Sequence, residues 1–149
     1  AGIVATAVLS GLLWLKSAAG LLPALDTIEM LADMGLRYAG LAPSATTGWA
    51  LHALIGLVWG LLFAGVARAM PSEGYVVKGM VFATGAWLLM MLVLMPVAGA
   101  GLFAMNLGFL APIATLVLHL VFGAVMGFVY GAFMGHKATT EIPDAHSTS

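Results

Sequence analysis

Four long apolar runs, at roughly 2 to 22, 49 to 67, 79 to 98 and 113 to 134, leave this chain few ways to fold. About 20 such residues are what a helix needs to cross the hydrocarbon core of a bilayer. Inside lipid every backbone amide must find its partner within the segment, so a spanning run of this kind is a helix. Of the 149 residues 62% are hydrophobic and 7% charged, and mean hydropathy is +1.10, whereas soluble domains are about a quarter charged. The pattern predicts an all-α integral membrane protein, a bundle of four spanning helices. The stretches between the runs are too short for a separate water-soluble domain.

The first run has no Lys or Arg before Lys16 and is long for the apolar part of a secretory signal, although SAAG at 17 to 20 has the small residues of a cleavage site. It is expected to stay as a helix. The absence of cysteine excludes disulfides and thiolate metal sites. A formal net charge of −1 with no polybasic run argues against nucleic acid as a partner and leaves the lipid bilayer itself. Arg68 and Lys78 flank the loop between the second and third runs and Lys137 follows the fourth, while the loop after the first holds Asp26, Glu29 and Asp33 with Arg37 as its one cation. The bias of cations toward the cytoplasm places both termini and the 68 to 78 loop there.

LDTIEMLADMGLRYAGLAPS, at 25 to 44, interrupts the apolar text. Asp26 and Glu29 have the spacing of a capping box, which predicts a short helix over about 27 to 38. Ile28, Leu31, Ala32, Gly35 and Ala39 share one side and Asp26, Glu29, Asp33 and Arg37 another, so this helix is expected to lie along the membrane interface. Gly40 and Pro43 close it, and Trp49 anchors the next span. Pro96, with Gly99 and Gly101, bends or ends the third span, and Asn106 serves a cap or turn. Residues 1 to 135 form the membrane domain; the polar tail from 136 to 149 is expected to be disordered.

LHALIGLVWG at 51 to 60 returns as LHLVFGAVMG at 118 to 127. Superposing His52 on His119 also superposes Gly56 on Gly123 and Gly60 on Gly127, and GIV at 2 to 4 loosely matches GMV at 79 to 81. The first half carries ten more residues between these marks, which the interfacial helix accounts for. The bundle therefore reads as two repeated helical hairpins, about 1 to 69 and 70 to 135. A pseudo-twofold axis along the membrane normal would carry His52 and His119 to equal depth.

Gly56 and Gly60 follow His52 at helical spacing, as Gly123, Gly127 and Gly131 follow His119. Small residues four apart let helix backbones approach in lipid, so one reading is helix packing with imidazoles at the seam. The other makes the imidazoles ligands. His52 and His119 could hold a haem b, with Gly56, Gly60, Gly123 and Gly127 giving room to the porphyrin face. They could equally hold a copper or zinc ion, with Asp26 or Glu29, or sulfur from Met30 or Met105, completing the shell. Glycine stripes in mutual contact would leave no space for a macrocycle, so packing is weighted above either cofactor. A paired polar group within the membrane nevertheless marks a functional site by default. Lys16 is expected to snorkel or meet Asp26. Met90, Met91 and Met95 read as gap-fillers, and His136 and His146 as solvated. No nucleophile with a base and no phosphate loop is present, which gives catalysis no foothold.

GWALHALIGLVWGLLFA, GMVFATGAWLLMMLVLMPVAGAGLF and LAPIATLVLHLVFGAVMGFVYGAF resemble a family of small bacterial four-span membrane proteins known only as a domain of unknown function. The resemblance implies that architecture and a bacterial inner membrane; it implies no activity. The resulting expectation is a non-enzymatic accessory or structural subunit of a larger membrane complex, respiratory or photosynthetic assemblies being candidates, packed against other membrane subunits or its own copies. The alternative is an electron-transfer protein binding haem b or copper or zinc through His52 and His119. A small transporter is a weaker third, since only Lys16 and the histidines offer polarity within the spans.

Overall fold

The computed structural model describes residues 1–71 and 74–140, the last five of these by backbone alone. Their order is α1 (Gly2–Ala18), α2 (Thr27–Ala39), α3 (Ala45–Val66), α4 (Tyr75–Leu89), a π-helical turn (Met90–Leu94) running into α5 (Met95–Val97), a tight turn (Leu102–Leu107) and α6 (Leu110–Thr140). The described residues contain helices and turns and no strand. Among the described residues three helices are long and apolar enough to cross a membrane: Ala45–Val66, the continuous Tyr75–Val97, and Leu110–Gly135.

α1 stops sooner than the apolar run suggests. Its 17 residues rise about 25 Å, less than the ~30 Å of a hydrocarbon core. Gly20 takes a left-handed φ of 65° and Leu21 N–H donates back to Lys16 O, the geometry that ends a helix on glycine, and Pro23 follows. The Lys16 ammonium, rather than reaching water or Asp26, folds under this end and donates to Leu22 O and Leu25 O. Leu25 is thereby pinned inside, 2% exposed.

α2 matches its expected limits because both signals act locally. Asp26 Oδ1 accepts from the Ile28 and Glu29 amides, and Gly40 closes the far end with φ 64°. The side bearing Leu31, Ala32 and Gly35 is buried and packs on α3, where Gly48 lies against the Ile28 carbonyl. Ser44 accepts from Thr47 N–H and starts α3 four residues before the apolar run itself begins.

Pro96 does not break its helix at once. Lacking an N–H and crowding the carbonyl four residues back, it is accommodated by widening the preceding turn at Met90–Leu94. The helix ends at Val97, and the chain reverses through a turn where Phe103 (φ 53°) and Ala104 (φ 55°) both sit in the left-handed region. Asn106 ties that turn, its Nδ2 donating to Gly99 O at 3.1 Å.

Helix packing follows the glycines. α1 packs on α3 and α6, and α4 packs along α6. A Cβ on Gly2 would stand 2.7 Å from Gly60 Cα and 2.8 Å from Gly56 O; one on Gly123 would stand 2.7 Å from the Ala83 Cβ. Backbones therefore touch along both seams, and the contact is dispersive. Trp59, Phe82, Phe63, Tyr130 and Tyr75 form a ladder of edge-to-face and tilted rings with centroids 5.1 to 5.7 Å apart, at one end of the bundle. A second core, of Leu25, Met91, Met95, Ala100, Ala104 and Ala111, occupies the other. The outer surface stays apolar, with Trp14, Leu61, Phe128 and Phe133 each more than 60% exposed, which is consistent with a lipid environment.

Candidate functional site

Between the two cores lies a cavity of about 360 Å³. Every helical layer contributes to its wall: Thr6 and Leu13 of α1, Met30 and Met34 of α2, His52 and Trp59 of α3, Met90 and Met95 around the widened turn, His119 and Phe122 of α6. Among the described residues no Asp, Glu, Lys or Arg lines it. The volume is that of a small-molecule site rather than a packing defect.

Both imidazoles line this cavity. His52 is seven residues into α3 and His119 nine into α6, so each enters the bundle about two turns from the start of its helix. His52 is 8% exposed, and its Nε2 is buried without a hydrogen-bond partner. A buried polar atom left in that state costs about 1 to 3 kcal/mol. The ring is braced by Trp49, edge to face at 5.8 Å.

His119 is held differently. Its Nδ1 lies 2.8 Å from Thr115 O, and since a carbonyl can only accept, Nδ1 carries the hydrogen. A neutral ring so fixed keeps a lone pair on Nε2. Thr115 is itself fixed: its hydroxyl donates to Ala111 O at 2.8 Å and accepts from Trp87 Nε1 at 3.1 Å. Thr115 thus orients the second imidazole through its backbone carbonyl and holds Trp87 beside it through its hydroxyl.

The remaining sequence candidates separate. Gly56 lines the cavity, but the faces of Gly56, Gly60, Gly123 and Gly127 are occupied by Thr6, Gly2, Gly79 and Tyr75 respectively, so neighbouring helices take the room a porphyrin face would use. Neither stripe faces the other. Asp26 and Glu29 line a different, outer cleft with Lys16 and Trp49, where Asp26 is spent capping α2. Met30 reaches the cavity, whereas Met105 is 57% exposed in the tight turn. Among the described residues no three of His, Cys, Asp and Glu gather as a metal shell. The side chain of His136 and all of His146 lie outside the described residues.

Thr115, Trp87 and Met34 are site residues that sequence reasoning missed. Thr115 did carry a signal, a hydroxyl one turn before His119 in an otherwise apolar run. Trp87 and Met34 carried none, because aromatic and thioether side chains are ordinary core.

Fold and site together define an all-helical protein with, among the described residues, three helices long and apolar enough to span a membrane, packed around a half-open cavity lined by two imidazoles. The chain belongs to a family of unknown function (DUF6789), whose match covers residues 1–141. No curated protein and no solved structure matches it.

Proposed function

We propose that the chain is a four-span protein of the bacterial inner membrane, built of two repeated helical hairpins, that serves without catalysis as an accessory subunit of a larger assembly and holds a small ligand between its halves. The cavity carries this reading: a half-open apolar cleft of about 360 Å³, lined by both imidazoles, one of which has a buried, unpartnered nitrogen.

The repeat is supported by its seams. Gly2 rests on Gly56 O and Gly60, Gly79 on Gly123 O and Gly127 N, and Thr6 faces Gly56 as Ala83 faces Gly123. A fourth span is supported by the apolar α1, whose shortfall a locally thinned bilayer or the segment after it can cover. Arg68 and Lys78 at one end, against Asp26, Glu29 and Asp33 at the other, favour cytoplasmic termini. The outward apolar faces suit lateral packing against other subunits or copies of the chain.

The alternative, haem b or copper or zinc on His52 and His119, draws on one observation: Met30, Met34, Met90 and Met95 share the cavity with both imidazoles, a soft donor set. The filled glycine faces weigh against the macrocycle.

Extraction of the full chain from native membranes in mild detergent tests both readings. The proposal expects a stoichiometric partner subunit by mass spectrometry, an apolar compound released into organic solvent, and no Soret band. A reducible Soret band, or stoichiometric copper or zinc that His52→Ala abolishes, selects the alternative. A chain that elutes alone and empty overturns both.

A further inference from the structure

We infer that the cavity ligand is an uncharged aromatic amphiphile carrying a hydroxyl group, a phenol or a quinol, and that His119 reads the hydroxyl. This rests on the reading that the cavity holds a ligand, and it follows from which polar atoms remain to be satisfied.

Charge is excluded first. With no carboxylate, ammonium or guanidinium in the wall, a ligand phosphate, carboxylate or amine would be buried without a counter-charge. Of the three hydroxyls in the wall, Thr6 donates to Gly2 O, Thr115 is engaged on both sides, and Thr27, at the α2 end of the wall, can itself donate or accept. The ring nitrogens left are the His52 Nε2, buried without a partner, and the nitrogen of His119 that Thr115 does not hold.

Those two nitrogens ask for different things. His52 makes no bond that fixes its tautomer, so its Nε2 can donate or accept. The tautomer of His119 is set by Thr115 O, and its Nε2 can only accept. A ligand that satisfies His119 must therefore donate, which an O–H does and a carbonyl or ether oxygen does not. The rest of the wall suits a flat ring. Trp59 and Phe122 offer aromatic faces or edges, and the four methionines offer polarisable sulfur that adapts to a ring edge. The same logic ranks a quinol above the quinone of the same skeleton, because oxidation removes the donor while leaving shape and apolar area almost unchanged.

The full chain in dodecyl maltoside is titrated with 2-decyl-1,4-benzoquinol under argon, with its quinone and with its dimethyl ether, and quenching of tryptophan emission is followed; Trp59 in the wall is the reporter. Saturable quenching by the quinol is expected with a dissociation constant roughly tenfold below those of the quinone and ether, the value of one good hydrogen bond. His119→Leu should bind all three alike and weakly, while Ala86→Phe, which fills the cavity from α4, should bind none. Circular dichroism and gel filtration confirm that both variants fold, and His119→Gln serves if the leucine variant does not. Equal binding of the three probes, lost in Ala86→Phe, overturns the hydroxyl assignment and leaves the ligand cavity standing. No saturable binding of any probe overturns both. Stoichiometric Cu(I) or Zn(II) uptake that His52→Leu abolishes, with no probe binding, transfers the site to a metal.

Discussion

Replacing Gly127 by alanine tests the packing of α4 on α6 where it is least forgiving. A Cβ at Gly127 would stand 2.7 Å from the carbonyl carbon of Tyr75 and 2.9 Å from Val76 Cα, with Tyr75 O nearer still. Ordinary van der Waals contact begins at 3.4 Å, so the first turn of α4 must withdraw by at least 0.7 Å. Backbone cannot rotate away as a side chain can. A gap of that size forfeits about a quarter to a half of each dispersion contact it opens, and the seam continues through Gly79 and Ala83 against Gly123. Forced overpacking costs about 1 to 3 kcal/mol, while alanine returns up to about 1 kcal/mol of helix propensity. The packing term prevails by about 1 to 2 kcal/mol. Thermal unfolding in detergent, followed by circular dichroism, should show a midpoint lower by several degrees, at roughly 2 to 4 °C per kcal/mol for a chain of this size. Gly85→Ala is the matched control, since Gly85 lies in the same α4 with nothing within 4 Å of its added Cβ. It should leave the midpoint unchanged or raise it. Equal midpoints for the two variants would refute the account of the seam.

Three further outcomes are expected. Lys16→Met removes the donor that holds Leu22 O and Leu25 O; hydrogen exchange across 19 to 25 should quicken with helix content unchanged, at a cost of about 1 to 2 kcal/mol. Asp26→Ala uncaps α2 by freeing the Ile28 and Glu29 amides and should cost about 1 kcal/mol, most of which Asp26→Ser restores, as read from the unfolding midpoint. Ala104→Val sets a β-branched residue at φ 55° where the side chain is fully buried; a loss above about 2 kcal/mol is expected in chemical unfolding, and a neutral result would deny the left-handed turn.

What could be read along the chain was local or compositional. Apolar runs need no tertiary information to predict helices, because lipid offers the backbone no other partner. Asp26 and Gly40 set the ends of α2 by bonds to residues within the same turn or two, so its limits were legible to within a residue. That His52 and His119 each lie about two turns into an apolar helix was legible from their places early in the second and fourth runs.

Tertiary structure decided the rest. α1 ends on the left-handed Gly20, and Lys16 then holds the segment beyond it through the carbonyls of Leu22 and Leu25, a fold-back that hydropathy cannot register. Pro96 announces a disturbance, but whether the helix kinks, stops or widens into a π turn depends on the neighbours packed around Met90–Leu94. The glycine stripes predicted close approach without saying to what. Each is covered within its own helix pair, by α1 or by α4, and this leaves the imidazoles beside a cavity instead of a seam. A sequence specifies which surfaces are small or polar; only the three-dimensional arrangement specifies which surface each one meets, since that depends on contacts between residues far apart in the chain.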